Sequence, residues 1–142
     1  MPGPVVGQDQ APGALRTAGL VEALTQVGFN VSDRGDSPSV PWRPDRTRPH
    51  AQNLDTVVQV VQETTRRVSD ASPGPEQMAL VLGGDCTVGI GTMAGIRRAI
   101  GRVGLVYFDL HSDLNIPSST TDGALDWMAL AHMLAVEGPS TH

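Results

Sequence analysis

Leu105-Val106-Tyr107-Phe108-Asp109-Leu110-His111-Ser112-Asp113-Leu114-Asn115 is an apolar run that ends abruptly in two carboxylates and an imidazole. The apolar residues after Gly104 suit a strand covered on both faces, and in open parallel sheets ligands gather just beyond the strand C-termini. Asp109, His111 and Asp113 alternate along the chain. A fully regular strand would point all three to one side, where a short loop could converge them on an ion. The stretch therefore predicts a buried strand that delivers metal ligands from its carboxyl end.

Upstream, Met78-Ala79-Leu80-Val81-Leu82-Gly83-Gly84-Asp85-Cys86-Thr87 repeats that order: apolar strand, glycine turn, acid, then a side chain able to ligate. Between the two stretches a helix is expected over residues 88–100, closed by Gly101. Strand, helix and strand within about thirty residues form a right-handed crossover, which predicts a parallel sheet with helices on both faces. Further out, Leu54, Val57, Val58 and Val61 recur at i, i+3, i+4 and i+7 and predict an amphipathic helix over residues 53–68. Pro73-Gly74-Pro75 marks the connection that follows it.

Toward the N-terminus, Ala14, Leu15, Ala18, Val21, Leu24 and Val27 keep close to a helical period, so residues 14–27 are expected as one helix stopped by Gly28. Residues 29–32 suit a short strand, and residues 33–50, rich in proline and arginine around Trp42, suit a long surface loop. Residues 1–12 carry only Val5-Val6 as an apolar pair and are expected as an irregular arm. A last helix is expected from Leu125 through Met128, Leu130, Met133 and Leu134, ended by Gly138-Pro139.

The chain has 142 residues and a formal charge of -5 without a basic run. That size suits one domain, and that charge gives no footprint for nucleic acid or an anionic membrane. The single cysteine, Cys86, excludes an internal disulfide framework. No signal-peptide segment and no run long enough to span a bilayer is present, so a cytoplasmic protein is the expectation.

Two carboxylates and an imidazole between Asp109 and Asp113 form a hard, mostly oxygen donor set suited to Mn, Mg or Zn. A pair of divalent ions about 3.5–4 Å apart activates water toward a resistant planar carbon such as a guanidinium. The plainer alternative is that these side chains cap a strand end and bond to nearby backbone. Strict alternation of three of them, with the Gly-Gly-Asp turn upstream, favours a metal.

Gly83-Gly84-Asp85 followed by Asp109-x-His111-x-Asp113 resembles the arginase and agmatinase family, the ureohydrolases. Gly13-Ala14-Leu15-Arg16-Thr17-Ala18-Gly19-Leu20 and the stretch from Gly28 to Asp36 are similar to that family's first helix and second strand. The resemblance implies a three-layer α/β/α fold with a parallel sheet, and hydrolysis of C–N bonds in linear amidines or guanidines with two Mn2+ ions. It implies that Asp109 bridges the ions, that His111 and Asp113 each ligate one, and that Asp85 supports the site from behind. Asn115 falls where arginases contact the amino-acid end of the substrate; a turn-forming asparagine is the other reading.

Three departures qualify that inheritance. Cys86 stands where the family has a histidine ligand, and a thiolate tilts a site from Mn2+ toward Zn2+, although a small buried thiol is an equal reading. Asp126 stands where arginases place a histidine that moves protons, a task for which an aspartate needs a raised pKa. The Ser-x-Asp-x-Asp motif that completes the family's metal cage has no counterpart, since only Asp122, Asp126 and Glu137 follow the central motif.

The expectation is therefore a single partial arginase-like domain over residues 1–142, a truncated half whose metal cage is half built. Alone it is expected to be inactive and either marginally stable or homo-oligomeric, because its apolar strands lack neighbours. A complementing second-half chain is the other partner the pattern allows, with a small guanidino or amidino substrate if the site is active. The alternative is a non-catalytic remnant or interaction module that keeps the scaffold.

Overall fold

A computed structural model describes residues 7–71, 74 and 76–136. Val5-Val6, Pro73, Pro75, Glu137 and the expected Gly138-Pro139 stop lie outside the described residues. The described elements are α1 (Ala11–Thr17), α2 (Leu20–Gln26), α3 (Leu54–Ala71), α4 (Thr87–Ile100) and α5 (Ala129–Met133), with 3-10 turns at Gln8–Gln10 and Leu125–Met128. No helix is long and apolar enough to cross a membrane among these residues.

The packed centre is the pair α3 and α4. The apolar stripe of α3 ends in Val68, and on its outer side Arg66 holds Glu63 at 2.8 Å and Asp70 at 2.9 Å, one turn away on either side. On α4, Gly91 and Gly95 are buried against Thr64 and Val68. A Cβ at Gly91 would lie 2.7 Å from Thr64 Cβ, and one at Gly95 would lie 2.7 Å from Val68 Cβ, so the two backbones meet where no side chain fits. The Thr65 hydroxyl donates to Val61 O at 2.7 Å and also reaches Gly91 O across the crossing at 3.3 Å. Helix α4 ends as its sequence suggests: Gly101 has φ 87 and its N–H donates to Arg97 O at 2.9 Å.

The rest of the small core gathers around the 125–131 region, where Ala124, Leu125, Met128, Ala129 and Ala131 are buried. Gly123 anchors that region to the long loop. Its φ of +65 and a would-be Cβ contact of 2.1 Å to Pro49 O leave no room for another residue, and its carbonyl accepts from Gln52 N–H at 2.9 Å. The Gln52 amide donates onward to Asp122 O. At the other end of the loop the Arg16 guanidinium clamps Asp33 at 2.7 Å and Asp36 at 2.6 Å, while Arg67 donates to the carbonyls of Arg34 and Gly35.

Three expectations are corrected. Residues 14–27 are two helices, because the chain turns through Gly19 at φ +88 between α1 and α2. The end of the expected arm is already helical from Gln8. Most consequentially, no β-strand forms among the described residues, at 29–32, 78–82 or 105–110. The segment 105–110 is not buried on both faces: Val106, Phe108 and Leu110 are 93%, 102% and 91% exposed, while Tyr107 between them is half-buried. Only Tyr107 of this segment rests on the protein; its neighbours meet solvent. A helix closes its own backbone hydrogen bonds, whereas a strand needs a neighbouring chain to receive them. No backbone hydrogen bond joins 78–82 to 105–110.

Candidate metal centre

The two motifs meet at the start of α4. The Gly83-Gly84 turn is pressed against the first 3-10 turn, where a Cβ on Gly84 would lie 2.8 Å from Gln8 O. Asp85 then caps the helix, its Oδ1 accepting from the Thr87 N–H at 2.9 Å and the Thr87 hydroxyl at 2.5 Å. Cys86 is thereby held at the helix entrance, with Sγ 3.7 Å from Asp109 Oδ2.

Asp113 reaches the same place from the other motif. It is 3% exposed and adopts a left-handed backbone at φ 48, a conformation that aspartate tolerates better than most residues. Its carbonyl accepts from Ala131 N–H at 3.1 Å, and its carboxylate accepts a hydrogen bond from the Tyr107 hydroxyl. Cys86, Asp109 and Asp113 each offer one donor atom within 4.8 Å of the others. One sulfur and two oxygens at that spacing fit a borderline divalent ion such as Zn2+ after small side-chain rotations.

Each donor is tuned by its surroundings. The His111 N–H donates to Asp109 Oδ1 at 2.9 Å and holds that carboxyl below the usual carboxylate range. Burial, followed by the bond to Asp113, pushes the Cys86 thiol up to about 12. Burial also raises the Tyr107 phenol, again followed by Asp113. In this cluster the thiol is held toward its protonated form and Asp109 toward its ionised form.

His111 stands apart from this group. Its imidazole is half exposed, with Nδ1 3.8 Å from Asp109 Oδ1 and its ring edge-on to Trp127 at 5.0 Å between centroids. The regular alternation expected of Asp109, His111 and Asp113 is broken: the chain bends at 110–111, and Asp113, at φ 48, is buried while His111 is half exposed. Asn115 is engaged in a turn, its Oδ1 accepting from Ser119 Oγ at 3.1 Å and its N–H donating to Trp127 O at 3.2 Å.

Asp85 and Asp126 share a small cavity of about 30 Å³ with Trp42, Gln52 and Leu125. Burial, followed by the Asp85 charge, raises the pKa of Asp126. That is the direction in which an aspartate must move to carry a proton near neutral pH.

Tyr107 and Trp127 were not singled out from the sequence. Tyr107 had a legible signal, because it is the one polar-tipped side chain inside the apolar run and shares the parity of Asp109. Trp127 had none, since its approach to His111 depends on the fold of 113–127.

A scaffold that joins the residue after a Gly-Gly-Asp turn to an Asp-x-His-x-Asp segment is that of the ureohydrolases. The Arginase family model matches residues 4–140, and the chain belongs to the arginase family. It is 36% identical over 129 residues to an arginase of Brevibacillus brevis, covering 90% of this chain and 43% of that protein. An arginase of Staphylococcus aureus is 34% identical over 137 residues, covering 94% of this chain and 45% of its own length. The crystal structure of arginase from Bacillus subtilis superposes with a TM-score of 0.76 at 30% identity, over 95% of this chain and 49% of that one. The chain thus spans somewhat under half the length of the relatives it matches.

Proposed function

We propose that the chain carries part of a metal-dependent site for C–N hydrolysis of linear amidines or guanidines, within the three-layer parallel-sheet scaffold that its family suggests. The observation that carries this is the convergence of Cys86, Asp109 and Asp113 within 4.8 Å on an arginase-family chain. A bound divalent ion would supply positive charge and an activated water. Cys86, Asp109 and Asp113 would hold it, with His111 beside them, its Nδ1 3.8 Å from Asp109 Oδ1. The thiol favours Zn2+ over Mn2+. Asp85 fixes the helix entrance that presents Cys86, and Asp126, its pKa raised by burial and the Asp85 charge, is the candidate for moving a proton. Asn115 must leave Ser119 to meet a substrate.

Two ions would need four to six donors each, and these residues supply three or four. The remaining donors would come from polypeptide beyond those residues, in a continuation, a complementing chain or a second copy. The bare apolar side of 105–110 supports a second reading, a scaffold piece whose role is docking. Competitive titration of Zn2+ and Mn2+ tests the site on the wild-type chain, Cys86→His and Asp109→Ala. The expected result is Zn2+ preference in the wild type, a narrower gap in Cys86→His and weakened binding in Asp109→Ala, with no urea release from arginine or agmatine by the 142-residue chain. Unchanged ion binding in Asp109→Ala would remove the site.

A further inference from the structure

We infer that Tyr107 is a positioning residue of this ion site, fixing the carboxylate of Asp113 through its hydroxyl; the inference rests on the proposed site. The geometry is specific. Tyr107 lies on the inward side of 105–110, between Val106 and Phe108 that face solvent. Its hydroxyl reaches Asp113, six residues on, across the bend of the chain at 110–111. There it donates to the carboxylate of Asp113, one of the three converging donors.

Asp113 needs such a partner. As the most buried of the three donors it is cut off from the water that would otherwise satisfy a free carboxylate oxygen. A ligating carboxylate whose orientation is set by a hydrogen bond binds more tightly than one free to rotate, and losing the bond typically costs ten- to a hundredfold in affinity. The phenol does this without adding charge, so it orients Asp113 while leaving the carboxylate available to an ion.

The test is a double-mutant cycle read by direct Zn2+ titration and by the absorption spectrum of the Co2+-loaded chain, with circular dichroism to confirm equal helix content. Tyr107→Phe should weaken Zn2+ binding about ten- to a hundredfold and alter the Co2+ spectrum. In an Asp113→Asn background the same substitution should change affinity by less than about twofold, because its route to the ion is gone. Wild-type affinity and an unaltered spectrum in Tyr107→Phe would overturn the role, as would an equal loss in both backgrounds. A wild-type chain that binds neither ion would instead overturn the site, and this role with it.

Discussion

Helices α3 and α4 and the segment 105–110 are all rich in apolar side chain, yet the helix pair is packed and the segment lies largely bare. Gly91 and Gly95 bring α4 onto Thr64 and Val68 at backbone distance, while Val106, Phe108 and Leu110 are all more than nine-tenths exposed. Local hydrogen bonding explains the difference. Each helix satisfies its own N–H and C=O groups and needs only one partner for its stripe, whereas a strand needs neighbours for its backbone and cover for both faces. The described residues show the first kind of order and not the second. The candidate centre lies on the border, with Cys86 on the helix side and Asp109 and Asp113 on the other.

The largest effect should come from the packed side. Gly91→Ala or Gly95→Ala sets a methyl 2.7 Å from Thr64 or Val68 Cβ, and overpacking of this kind costs about 1–3 kcal/mol. Urea unfolding followed by circular dichroism checks it, and a neutral result would mean that the crossing is looser than the glycines indicate. On the bare side, Val106→Ser with Phe108→Ser and Leu110→Ser should shift stability by less than about 0.5 kcal/mol at each position, since little contact is lost. The same triple change should reduce self-association in sedimentation velocity. A loss matching that of the glycine variants would show that this side is packed after all.

At the border the effect is one of pH, nearly silent at neutral pH. With its thiol raised from 9.0 to about 12, Cys86 should alkylate slowly at pH 8, and faster once urea unfolds the chain. Its rate in the folded chain should climb about tenfold per pH unit up to about pH 11 without a plateau. The sign for stability follows: a thiol raised on folding stabilises fully below about pH 9, and that contribution is lost as pH rises toward 12. A plateau near pH 9 in the folded chain would place Cys86 in ordinary solvent, outside the cluster.

What was legible in the sequence follows the same division. The expected helices 53–68 and 88–100 match α3 and α4 to within a few residues, because Leu54, Val57, Val58 and Val61 and the closing Gly101 are local signals. The family was legible too, through Gly83-Gly84-Asp85 and Asp109-x-His111-x-Asp113. The break at Gly19 was hidden inside a helical period that runs unbroken across it. The strands could not be read as absent, since an apolar run does not disclose whether its neighbours are present. Nor did spacing reveal that His111 turns to Trp127 while Tyr107 turns to Asp113. Both lie across the bend at 110–111 and beside the positive φ of Asp113, neither of which a residue pattern announced.

The chain holds a formed helix pair beside an unpaired apolar segment that ends in candidate metal donors. Amide hydrogen exchange on the isolated, monomeric chain tests it most directly. Strong protection over 61–68 and 91–98, with near-free exchange over 78–82 and 105–110, is the predicted result. Equal protection of all four segments in the monomer would mean that the sheet is already paired, and would contradict the account.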